Sequence, residues 1–276
     1  MQDLNAETAE VASPRPSATV VLARAGQATP EFFLGRRHAR ASFGASYVFP
    51  GGLVDAGDCE AEAFSRDFSA DVANRWLGLT SGGLDYYCAA IRELFEETGV
   101  LLARDAGGAA VTGASAAALE LQAARVALNA GGLRWSVFLR ERGLTLACDA
   151  LAYFAWWITP RTLPKRFSTR FFVAALPDGQ AAAHDGAELT DSRWATAAAA
   201  LAAHASGELL LPPPTRATLA DLAGAGTLDD LLGWAGRRQR AGVPRILPAI
   251  VSSGGRQRIL MPGEPDYPAD ADRGEQ

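Results

Sequence analysis

The alternation of apolar and polar positions changes period several times along the chain, and each change predicts an element. The β-branched run ATVVLARA (Ala18–Ala25) reads as a strand, the turn GQATP follows, and EFFLGRR (Glu31–Arg37) reads as its hairpin partner. YVF, beginning at Tyr47, is a short strand that stops at Pro50-Gly51-Gly52. From Cys59 to Leu79 the spacing turns helical, with Phe64, Phe68, Val72 and Trp76 near one face. TSGGLD breaks that pattern, and Asp85 is placed to cap a helix that runs to Thr98 and stops at Gly99. Ser115–Gly132 and Arg134–Gly143 read as further helices, and Leu151–Thr159 and Thr169–Leu176 as a buried strand and its partner. Glu188–Thr196 leads into the alanine-rich helix AAAALAAHASG. Beyond LLLPPPT, the segments RATLADLAG and TLDDLLGWAGRRQR are helical. RILPAIVSSGGRQRILMPG predicts a terminal hairpin turning at Ser253-Gly254-Gly255.

Strands and helices interleave without a regular βαβ rhythm, and no GxGxxG follows a strand. The expected class is α+β, a mixed β-sheet flanked by helices. Residues 1–16 read as a flexible tail, 17–206 as one domain with an insertion at 59–84, 207–262 as a helical C-terminal extension, and 263–276 as a loose tail.

Composition adds exclusions. The 276 residues carry a net charge of −5, which disfavours a nucleic-acid binder and requires any anion site to be built from local clusters. Cys59, Cys88 and Cys148 show no CxxC spacing, which argues against a disulfide framework or structural zinc and for a reducing, cytoplasmic compartment. The N-terminus is polar and acidic, unlike a secretory signal, and no uninterrupted apolar run reaches membrane-spanning length.

RELFEETG is the stretch with chemical content. Glu93 and Glu97 are four residues apart and Glu93 and Glu96 three, so all three carboxylates project from one side of a helix. Like charges so placed cost about 0.2–0.5 kcal/mol per pair, which a solvated face tolerates and a cation site uses. Mg2+ is hard and takes oxygen ligands, usually one or two carboxylates with substrate phosphate oxygens and water. Arg92 is placed to hold one glutamate by a bidentate bond. Ile91, Leu94 and Phe95 argue that the helix is partly buried, and FPGG upstream suits close backbone approach to a ligand.

Together these two stretches resemble the Nudix box, the signature of hydrolases that act on nucleoside diphosphates linked to another moiety. The second half matches throughout, at Arg92, Glu93, Leu94, Glu96, Glu97, Gly99 and Val100. In the first half, Gly52 is followed after five residues by Asp58, where the family has glutamate. Thirty-three residues, Cys59 to Ile91, then stand where the family has seven. The box is split, and its first acid is either Asp58, displaced by the insertion, or absent. A split box resembles the coenzyme A diphosphatases of the Nudix-19 type, as do FLGRRHARASFGASYVFPGG, ITPRTLPKRFSTRFFVAAL and LMPGEPDYP.

The resemblance implies a Nudix-type α/β/α sandwich and Mg2+- or Mn2+-dependent attack of water on a diphosphate. It implies Glu93, Glu96 and Glu97 as catalytic metal ligands, Arg92 as their orienting partner, and the Gly51 or Gly52 carbonyl as a further ligand, with Gly51 bordering the substrate. Glu188, beyond the box, is a catalytic base or ligand, or else simply begins a strand. Arg36, Arg37 and Arg40 either grip phosphates or form a solvated strand end. Arg170, with Arg161, Lys165 and Arg166, either faces substrate or pairs with the protein's own acids. Phe43, Tyr47 and Trp157 stack on adenine or belong to the core. The stripe from Phe64 to Trp76 suggests an insertion that shapes the acyl or pantetheine end of the pocket; a covering helix or a dimer contact fits it equally, so a homodimer stays open. Three readings of a protein with a small-molecule nucleotide ligand follow. The first is a coenzyme A or acyl-coenzyme A diphosphatase, and the second a Nudix hydrolase of ADP-ribose, NADH or another compound. The third is a non-catalytic nucleotide sensor, against which the intact carboxylates argue.

Overall fold

The computed structural model describes residues 11–38, 44–113, 116–253 and 255–271. In chain order the elements begin with β1 (Arg15–Arg24), β2 (Glu31–Arg37), β3 (Tyr47–Val48), β4 (Gly51–Leu53), α1 (Ala56–Ala61), α2 (Ala70–Leu77) and α3 (Gly83–Thr98). There follow β5 (Ala103–Arg104), α4 (Ala116–Asn129), α5 (Trp135–Glu141), β6 (Thr145–Leu146), β7 (Ala152–Ile158), β8 (Phe167–Ala175) and β9 (Leu189–Thr196). The chain continues through α6 (Ala197–Ala205), α7 (Pro213–Leu222), α8 (Leu228–Ala241), β10 (Arg245–Ile246), β11 (Ala249–Ser253) and β12 (Arg256–Leu260).

Eight strands form one mixed sheet in the order β10-β7-β8-β1-β2-β3, with β4 also on β1 and β9 also on β2. β1 pairs in parallel with β8 and antiparallel with β2 and β4. Its pleat sends Ala18, Val20 and Leu22 to one face and Val21 and Ala23 to the other. On the first face lie α3 (Tyr87, Ile91, Leu94), the insertion (Phe68, Leu77) and α5 (Trp135, Phe138). On the second, Leu219, Leu222, Leu231 and Ala235 of α7 and α8 pack with Phe154, Phe171 and Val173. The chain is therefore an α/β/α sandwich, and the C-terminal helices supply one of its layers.

Several elements depart from the sequence expectation for local reasons. The helix expected from Cys59 to Leu79 is broken in two. Asp55 starts α1 upstream through a capping box with Asp58, and Ser69 starts α2 by accepting from the Val72 N–H. Between them Phe68 packs on Trp76 and Tyr87. Asp85 is not the cap of α3. That helix begins at Gly83, whose N–H donates to Asn74 Oδ1 at 2.7 Å, and a Cβ there would overlap α2 backbone. β1 begins at Arg15, inside the span read as a tail; residues 1–10 and 272–276 lie outside the described residues. The terminal hairpin pairs as expected, from Ala249↔Leu260 to Ser253↔Arg256, while Gly254 of its turn lies outside the described residues. Among the described residues, no helix is long and apolar enough to cross a membrane.

Candidate active site

Arg92 organises the site. Its Nε and Nη2 donate to the two oxygens of Asp58 at 2.8 and 3.0 Å, and Nη2 also donates to the Leu53 carbonyl at 2.9 Å. Nη1 donates to Glu93 and to Glu96, each at 2.9 Å. One buried guanidinium thus ties the first turn of α1, the end of β4 and two carboxylates of α3. Asp58 is wholly buried and forms the bidentate pair, and Oδ2 also accepts from the Asp55 N–H. Burial pushes the Asp58 carboxyl up against the pull of Arg92. Burial opposes charge on Arg92 too, but Asp58, Glu93 and Glu96 outweigh it and hold the guanidinium above its ordinary value.

The remaining carboxylates lie where FPGG meets α3. Glu97 is buried and accepts from the Gly51 N–H at 2.9 Å; burial, with Glu93 adding, pushes it well above the usual range. Burial lifts Glu93 to about 7 against the pull of Arg92, and Glu96 is raised by burial in the same way. A Cβ at Gly51 would overlap the Ala18 carbonyl, so glycine is required there, and one at Gly52 would push the Glu93 carboxylate aside. The Gly52 carbonyl accepts from Ser17 Oγ at 2.7 Å.

A cavity of about 1040 Å3 opens at this point. Glu93, Gly51, Gly52, Arg37 and Glu188 line it near the box, and Arg15, Lys165 and Arg166 line a basic part. Glu188 is carried there by a turn in which the Asp185 carboxylate accepts from the N–H groups of Ala187, Glu188 and Leu189. Its charge helps to lift Glu93 and Glu97. Glu96 faces a smaller cleft shared with Arg92 and Asp55.

Other candidates are placed differently from the sequence reading. Arg37, rather than Arg36, lines the cavity: pairing with β9 shifts between the two, and Arg36 is exposed elsewhere. Arg40 and Phe43 lie outside the described residues. Arg170 does not line the cavity. Its β8 neighbours Thr169 and Phe171 line the cavity, and the pleat turns Arg170 to the other face. There it is buried, donates to Tyr153 Oη at 2.6 Å and stacks over Trp156 at 3.6 Å. Trp157 lines the cavity, whereas Tyr47 is core and donates to Asp191 at 2.5 Å. No residue from Cys59 to Gly83 lines the cavity, so the insertion does not shape it; Phe68 and Leu77 close the core instead. Sequence reasoning passed over Ser17, Arg15 and the C-terminal hairpin, whose role depends on contacts distant in sequence.

The donor set fits a divalent cation. Glu97 is a buried carboxylate whose one hydrogen bond comes from a backbone N–H, and Glu93 beside it is raised. Arg92 draws Glu93 and Glu96 toward itself, so among the described residues the carboxylates do not converge on one point. Among the described residues, Cys59, Glu62 and Asp85 at the far end of α3 do bring their ligand atoms within 4.8 Å of one another.

The NUDT19 Nudix domain family matches residues 68–222, more than half of the chain. The chain belongs to this family. As a Nudix hydrolase it is 28% identical over 265 residues to the acyl-coenzyme A diphosphatase NUDT19 of Homo sapiens, covering 82% of this chain and 69% of that one. Its likeness to the Gallus gallus protein of the same name is 28% over 279 residues, covering 88% and 74%. The crystal structure of a Nudix hydrolase from Alicyclobacillus acidocaldarius is 27% identical, with a TM-score of 0.68, over 81% of this chain and 97% of that chain. Nudix hydrolases generally use divalent metal ions, in keeping with the Glu93–Glu97 cluster.

Proposed function

We propose that the chain hydrolyses the diphosphate linkage of coenzyme A and acyl-coenzyme A, releasing adenosine 3′,5′-bisphosphate and (acyl-)phosphopantetheine, with Mg2+ or Mn2+ held at the box. The observation that carries this reading is a Nudix carboxylate cluster opening into a cavity with both a basic and an apolar wall, in a chain similar to acyl-coenzyme A diphosphatases over four-fifths of its length. ADP-ribose and NADH have no tail to fill the apolar part.

Glu93, Glu96 and Glu97 are the candidate ligands, completed by the Gly52 carbonyl. A bound divalent cation contributes charge neutralisation on the diphosphate and a lowered water pKa. Arg92 fixes the rotamers of Glu93 and Glu96 through its Nη1. Arg37 adds positive charge on the diphosphate side, and Glu188 is the candidate to accept the proton of the attacking water. Arg15 and Lys165 suit a 3′-phosphate. The three cysteines are free, which suits a reducing, cytoplasmic setting.

A turnover panel of coenzyme A, acetyl-coenzyme A, ADP-ribose, NADH and diadenosine polyphosphates with Mg2+ or Mn2+ tests the reading. Coenzyme A compounds are expected to give the highest kcat/KM, and a preference for ADP-ribose or NADH would reject the assignment. Gly52→Ala is expected to displace Glu93 and cost about 10²-fold in rate, measured by steady-state kinetics alongside a thermal melt.

The raised carboxyls also set a pH dependence. A Glu93 pKa of about 7 when folded, above its ordinary 4.5, makes the metal-free fold most favoured, for this group, below pH 4.5. That contribution, on the order of 3 kcal/mol, is lost as pH rises through 7. Metal requires the ionised form. The rise in Tm on adding Mn2+ is therefore expected to be larger at pH 8 than at pH 6, by differential scanning fluorimetry; equal shifts would remove Glu93 from the ligand set.

A further inference from the structure

The cavity has an apolar arm with no part in diphosphate chemistry. Pro248, Ile250 and Ile259, which follow β10, line it. Ile250 and Ile259 face each other across the β11–β12 ribbon. Among the described residues that ribbon pairs with no strand of the main sheet, and Ile259, 44% exposed, is one of the few large apolar side chains left so open. An open apolar pair on such a ribbon offers a surface to an apolar ligand.

The sheet measures how far this arm lies from the box. One cross-strand row runs Leu53–Ser17–Thr169–Trp157–Ile246, from β4 to β10. Four strand spacings make about 19 Å. Leu53, Ser17, Thr169 and Trp157 of that row all line the cavity. Its floor thus passes from hydroxyls near the box to an indole farther on. Pro248 and β11 begin within three residues of its last member, Ile246. A pantetheine arm has about thirteen bonds from phosphorus to sulfur, a little over four residues of extended backbone, or about 15 Å. A diphosphate at Gly51–Glu93 with its pantetheine laid along the row brings the sulfur over Trp157, at the foot of the ribbon.

We propose that the acyl chain of the substrate lies against Ile250 and Ile259 of the β11–β12 ribbon, and that this pair sets chain-length preference. The inference rests on the coenzyme A reading above and adds to it the residues that meet the acyl end.

The test is a chain-length series, from free coenzyme A through acetyl, octanoyl and palmitoyl thioesters, on wild type, Ile259→Ser and Ile259→Trp. Each methylene removed from water favours binding by about fourfold. Wild type is expected to show kcat/KM rising with chain length. Ile259→Ser is expected to lower the palmitoyl-to-free coenzyme A ratio of kcat/KM about tenfold. Ile259→Trp, which narrows the arm, is expected to move the optimum to a shorter chain. The exposure of Ile259 makes both substitutions compatible with folding. Turnover with an unchanged chain-length profile in both variants overturns the ribbon assignment alone. No turnover of any coenzyme A compound by wild type overturns the coenzyme A reading, and the inference with it.

Discussion

Glu97→Gln is expected to remove about three orders of magnitude of turnover and, at the same time, to stabilise the metal-free protein. The two effects have one cause. Glu97 is buried, its pKa is raised by burial and by Glu93, and its hydrogen bond is from the Gly51 N–H. Ionising it above its ordinary 4.5 costs the metal-free fold. Glutamine keeps an acceptor for Gly51 and removes the charge, so the melting temperature in EDTA at pH 8 should rise by a few degrees. The same charge is what a cation needs, and losing one such electrostatic group costs about 10²–10³ in rate. Steady-state rates and melts in EDTA read the two arms. A variant with near-normal turnover, or one that melts lower without metal, would contradict the role given to Glu97.

Asp58→Ala is expected to be the most destabilising single change at the site. Asp58 is wholly buried and gives Arg92 its bidentate partner, and removing one member of a buried pair typically costs about 3–5 kcal/mol. For a chain of this size that corresponds to a fall in Tm on the order of 10 °C. Arg92 would then redistribute toward Glu93 and Glu96, so activity per folded molecule should also drop. Asp58→Asn, which keeps an acceptor, should lose less. Thermal melts of the three proteins decide it; an Asp58→Ala variant as stable as wild type would mean that the split box is not held together by this pair.

What could be read from the sequence follows the range of the interactions involved. Glu93, Glu96 and Glu97 sit at helical spacing, so their shared side was readable from a few residues. The terminal hairpin was readable too, because its Ser-Gly-Gly turn signal lies between two apolar runs. The Asp58–Arg92 pair links residues 34 apart through the insertion, and no local pattern foretells whether Asp58 folds back onto α3. Arg170 was misplaced because the basic cluster was read as a cluster, whereas the strand pleat separates it from Thr169 and Phe171. Which of Arg36 and Arg37 lines the cavity turns on an irregularity in pairing with β9, which no local pattern shows. The insertion's aromatic stripe marked it correctly as apolar, yet an apolar stripe does not say which surface it covers; Phe68 turned out to meet Tyr87 on α3 and not the cavity. The C-terminal ribbon reaches the cavity only because β10 pairs with β7 at the sheet's edge.

The central claim is that an interrupted Nudix box is closed in space, by Arg92 and Asp58, into a metal-dependent site for coenzyme A diphosphate. Mass-spectrometric product analysis of coenzyme A incubated with the purified protein and Mg2+ or Mn2+, with and without a chelator, tests it most directly. The account predicts equimolar adenosine 3′,5′-bisphosphate and 4′-phosphopantetheine, abolished by chelation. Intact coenzyme A under every metal condition, or cleavage that survives the chelator, would contradict it.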